Sequence, residues 1–82
     1  MSYQENEISI EGLQKHIKVL DSDEGIRIET NGEKIFVNRT SRRYCINTHL
    51  GDKDEFLYMA HAEEVLQFLA QRIGSSARIF AY

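Results

Sequence analysis

Between Gly25 and Gly74 the chain runs through a series of strand-type alternations and then switches to a helical period, and that switch constrains the fold more than any other feature. Ile26, Ile28 and Thr30 share one face of a first strand, and Ile35 and Val37 share one face of the next. Between them stands Asn31-Gly32, a pair suited to a two-residue type I′ turn because both central residues need positive φ. With that turn Ile28 faces Ile35 and Ile26 faces Val37, while the other side of the hairpin pairs Glu29 with Lys34 and Arg27 with Phe36. One register satisfies an apolar face and a polar face together.

A third alternation, Tyr44 to Leu50, puts Tyr44, Ile46, Thr48 and Leu50 on one side. A tight turn around Thr40-Ser41 predicts Val37 opposite Tyr44 and Ile35 opposite Ile46. Gly51 to Asp54 reads as the next turn and Glu55 to Met59 as a short strand. From Ala60 or His61 to Ile73 the period lengthens to about 3.6, with Ala62, Val65, Leu66, Leu69 and Ile73 in one stripe. Glu63 and Glu64 in the first turn, Arg72 in the last and Gly74 just beyond suit the two ends of a long helix. The apolar side of the sheet is the surface this stripe requires.

At the flanks, Ile10, Leu13, Ile17 and Leu20 after a Ser9 N-cap predict a shorter N-terminal helix, although Ile8 to Ile10 and Ile17 to Val19 also permit extended structure. Ala77 to Tyr82 is strand-like. It either returns to the parent sheet or pairs with another chain. The fold class expected is therefore α+β: an antiparallel β-meander of three to five strands with one long amphipathic helix on one face. Residues 1–82 form one compact domain, and the polar, acidic stretch 1–7 is expected to be disordered.

A chain of 82 residues buries about 60% of the surface its unfolded form exposes, so it carries one small core and has little room for an enclosed substrate cavity. No run approaches the roughly 18 apolar residues that span a bilayer, and the N-terminus is unlike a signal peptide. The single cysteine cannot form an internal disulfide. A cytoplasmic protein without membrane contact is the expectation.

Three groups of residues bear on chemistry. Arg39, Arg42 and Arg43 cluster at the second turn, and Arg27, Lys34, Phe36, Arg43, Asn47 and His49 share the sheet face that the helix leaves uncovered. Arginine, asparagine and aromatic side chains on an open sheet are the groups that bind phosphates and stack on bases. In outline, a three-stranded sheet backed by one helix resembles the DNA-reading sheets of phage integrase arm-binding domains. That resemblance is one of architecture and carries over no residue. Against it stands a net charge of −3, with Asp21, Asp23, Glu24, Asp52, Asp54 and Glu55 gathered in two loops, whereas nucleic-acid modules are usually basic.

Cys45, His49 and His61 have ligand chemistry but lack the paired spacing of a zinc site, and as nucleophile and base they lack an orienting third group. The acidic loops lack the spacing of an EF-hand. No catalytic residue, metal or cofactor is therefore expected. The reading that remains is a small non-catalytic protein-interaction module, an adaptor, inhibitor or regulatory protein of the kind phage and mobile elements carry, with nucleic-acid binding through the basic and aromatic face as the alternative. Phe36, Tyr58 and Phe68 are its candidate contacts. Arg78, Phe80 and Tyr82 are candidates for self-association, through a homodimer formed by the C-terminal strand if that strand does not return to the parent sheet.

Overall fold

The computed structural model describes residues 6–74 and 76–82. Its elements in chain order are β1 (Asn6–Ile8), α1 (Ile10–Lys18), β2 (Gly25–Thr30), β3 (Glu33–Arg39), β4 (Tyr44–Leu50), β5 (Lys53–Met59), α2 (Ala62–Ala70) and β6 (Arg78–Ala81). The strands form one antiparallel sheet in the order β1-β6-β2-β3-β4-β5. The α+β class agrees with the sequence, but the sheet has six strands rather than three to five, and both helices have nine residues.

The first hairpin has the expected register throughout, Ile28 opposite Ile35 and Arg27 opposite Phe36. Its turn carries positive φ at Asn31 (49°) and Gly32 (80°), as a type I′ turn demands. The second connection departs from expectation by two residues: Val37 pairs with Ile46, Ile35 with Thr48, and Arg39 with Tyr44. The cause lies in Thr40, whose N–H and Oγ1 both donate to the Arg43 carbonyl, at 2.8 and 2.9 Å, while its Oγ1 accepts the Arg43 N–H. These bonds close a four-residue loop one step further along the chain. A slip of two preserves the faces, so the apolar side is unchanged. β5 begins at Lys53, earlier than expected, because Gly51 at φ 62° lets Gly51-Asp52 alone complete the turn.

Ser9 caps α1 as predicted, its Oγ accepting the Gly12 N–H at 3.1 Å. At the start of α2 the His61 N–H donates to Glu64 Oε1 at 3.1 Å. This helix ends at Ala70 instead of Ile73, and its last turn tightens as the Arg72 N–H bonds back three residues to the Leu69 carbonyl. Both helices cover one side of the sheet. Leu13, Ile17 and Leu20 from the α1 side, Val65 and Leu69 from α2, and Ile26, Ile28, Ile35, Val37, Tyr44, Ile46 and Ile79 from the strands make a single core. Within it the Tyr44 hydroxyl donates to the Ile17 carbonyl at 3.0 Å, tying the end of α1 to β4.

The chain crosses from β5, at one edge, back over the sheet through α2 and inserts β6 between β2 and β1. A polar latch holds this passage. Thr30 Oγ1 accepts the Gly74 N–H at 3.0 Å, and Arg72 Nη1 donates to the nearly buried carboxylate of Glu33 at 2.9 Å. The three-residue β1 was not legible as a strand. Most of the stretch expected to be disordered lies outside the described residues, but Asn6 and Glu7 fall within them and pair with Ala81 and Phe80.

Candidate interaction face

Every second residue of the six strands points away from the helices, and the registers arrange these side chains in rows across the sheet. The central row reads Glu7, Phe80, Arg27, Phe36, Asn47, Phe56 from one edge to the other. Beside it run Tyr82, Gly25, Asn38, Cys45 and Tyr58 on one flank, and Arg78, Glu29, Lys34, His49 and Asp54 on the other. Five aromatic rings thus share one open face. Phe56 (62% exposed) and Tyr58 (55%) are the most solvent-exposed of these rings.

Arginines lie on the rings. The Arg27 guanidinium is 4.4 Å from the Phe80 centroid, Arg78 is 5.1 Å from the same ring, and Arg43 is 4.3 Å from Tyr58. Such stacks hold long cationic side chains flat against the sheet. Phe36 meets the His49 ring edge-to-face at 5.6 Å. Gly25 gives Tyr82 its place: a Cβ at position 25 would stand 2.6 Å from that ring.

Two of the arginines on this face, and one histidine, have carboxylate neighbours. Arg27 pairs with Glu29, Arg78 donates to Glu7 from two nitrogens at 3.2 Å, and His49 Nδ1 contacts Asp54. The Arg78 hydrogen bond, with the guanidinium charge behind it, holds the Glu7 carboxyl below its ordinary range, and the same bond raises Arg78. Asn47 completes a polar chain, its Oδ1 2.6 Å from His49 Nε2 and its Nδ2 donating to the Glu55 carbonyl at 3.0 Å.

Of the residues singled out in the sequence, Arg27, Lys34, Phe36, Asn47 and His49 occupy this face, and Arg43 reaches it through Tyr58. Arg39 does not. Its alternation places it on the helix side, where it lies 4.5 Å from the ring of Tyr44. Arg42 stands exposed in the loop after Thr40. Phe68 packs partly buried against the core, beneath the Arg72 guanidinium. Arg78 and Phe80 belong to a strand, β6, that lies between β2 and β1, and Tyr82, just beyond it, pairs with Gly25, so it is their side chains that the fold offers for association. Phe56 escaped notice. Continuing the β4 register through a two-residue turn at Gly51-Asp52 is the signal that places it opposite Asn47.

Cys45 and His49 lie four residues apart along an extended strand, a separation of about 13 Å, so thiol and imidazole do not meet. Among the described residues, no cluster of three or more His, Cys, Asp or Glu side chains is placed to hold a metal ion, and no helix is long and apolar enough to cross a membrane. Comparison with protein-family models, with curated proteins and with solved structures returns no match.

Proposed function

We propose that this protein is a non-catalytic binding module that engages another protein through the open face of its sheet. The observation that carries this reading is the combination of five aromatic rings with two arginines, Arg27 and Arg78, already paired with the carboxylates of Glu29 and Glu7. Aromatic and arginine side chains in such a setting are what protein interfaces concentrate. A phosphate backbone would instead have to displace Glu29, Glu7 and Asp54 from their partners. The nucleic-acid reading rests on the central row, where Phe80, Phe36 and Phe56 alternate with Arg27 and Asn47 at the spacing of neighbouring strands. A free Cys45 thiol suits a reducing cytoplasm.

The two readings separate in one experiment. Phe36→Ala with Phe56→Ala should abolish cross-linking of the full chain to its protein partner in the native host, while single- and double-stranded DNA and RNA fail to bind at low salt. Nucleic-acid binding whose affinity falls steeply with salt, and is lost on Arg27→Ala with Arg43→Ala, would replace the protein reading.

A further inference from the structure

The sheet has two edges, and they are protected very differently. At one, β1 is three residues long and clamped by the Glu7–Arg78 pair. At the other, all seven residues of β5 are paired to β4 without a bulge. Leu50 and Lys53 flank the two-residue turn, so their main-chain groups point at each other and those of alternate residues along β5 point outward. The outward set is Asp54, Phe56 and Tyr58. Natural sheets usually guard such an edge with proline, a bulge or charge along its whole length. Here charge occupies only the first half, Lys53-Asp54-Glu55, and the second half is Phe56-Leu57-Tyr58-Met59.

That division is self-complementary. One end of the β5 edge carries Asp54 and Glu55, and the other carries Arg43, stacked on Tyr58. The geometry points to a second copy of this chain as the occupant: β5 of each copy pairs antiparallel with the other about a two-fold axis at Leu57. In that register Phe56 of each copy faces Tyr58 of the other, Leu57 faces Leu57, and about four main-chain hydrogen bonds form from the outward groups. The acidic end of each strand comes to lie beside the Arg43 end of its mate. An isologous contact requires this reversal of character along the edge. The product is one continuous sheet, with both open faces on the same side. This inference goes beyond the open-face reading and does not depend on it.

The test is sedimentation of the full chain over a range of concentrations. Wild type should form a dimer, Arg43→Glu or Asp54→Lys alone should weaken it by about tenfold or more, and the double exchange should restore it. Within one chain the two positions are separated by about 20 Å along β5, so only a contact between copies gives that rescue. Hydrogen exchange of wild type adds a measure independent of any variant: the Phe56 and Tyr58 amides should become protected as concentration rises. A monomer at every concentration, a dimer that neither single exchange weakens, or a double exchange no better than the single ones would each overturn the proposal.

Discussion

Gly25 shows how one residue can shape the open face without taking part in any chemistry. It sits in β2 opposite Asn38 and Tyr82, and a methyl group there would meet the Tyr82 ring at 2.6 Å and Asn38 Oδ1 at 2.7 Å. Because the clash is with movable side chains, Gly25→Ala should cost only about 1 kcal/mol through displacement of the ring. In a Tyr82→Ala background the cost should shrink, because only the Asn38 amide is left to move aside. The backbone at position 25 requires no positive φ, so the smaller loss of chain entropy of alanine offsets part of what remains. Urea unfolding of the four proteins in that cycle measures both values.

At the scale of the element, β1 is the piece most exposed to solution conditions. It is held by its pairing to β6 and by the Glu7–Arg78 ion pair, both partners exposed. A carboxyl whose native pKa is depressed adds stability that is fully present above its unfolded value, ordinarily 4.5, and is lost as pH falls through the lower native value. Amide exchange at Ile8 and Ile79 should therefore quicken, relative to the rest of the sheet, as the solution is acidified below that range. With Glu7→Gln the acid-dependent difference should disappear.

The same elements show what could be seen in advance and what could not. The β2–β3 hairpin was legible because Asn31-Gly32 and the alternations on either side fix each other over a dozen residues. The stripe from Ala62 to Ile73 was legible for a similar local reason, although the latch at Thr30 and Glu33 draws its end out of the helix. The loop after Arg39 was misjudged because a single threonine side chain decides its length. β1 went unrecognised because Asn6-Glu7-Ile8 has no pattern of its own and becomes a strand only against Arg78 to Ala81, more than seventy residues away. Among site residues, those on β2 to β4 followed from alternation, and continuing the alternation of Ile35 and Val37 by two residues would have put Arg39 on the helix side as well.

For the whole molecule, the decisive join is where α2 hands the chain to β6. Glu33 is nearly buried on the core side at the start of β3, and Arg72 supplies its cation from beyond α2. Arg72→Ala leaves that carboxylate without a counter-charge and should destabilise the fold by about 1–3 kcal/mol, less than a fully buried pair would because Arg72 is itself partly exposed. Adding Glu33→Gln should recover part of the loss. Chemical denaturation of the three proteins at neutral pH checks the pair.

Inserting β6 between β2 and β1 also sets the mechanical character of the fold. Asn6 lies opposite Ala81, so the two ends of the sheet's first and last strands emerge side by side from the same end of an antiparallel pair. Tension applied across them would peel β1 from β6 one bond after another rather than slide the strands past each other. That pair would yield to a gentle pull applied at Asn6 and Ala81 while the meander beneath stayed whole.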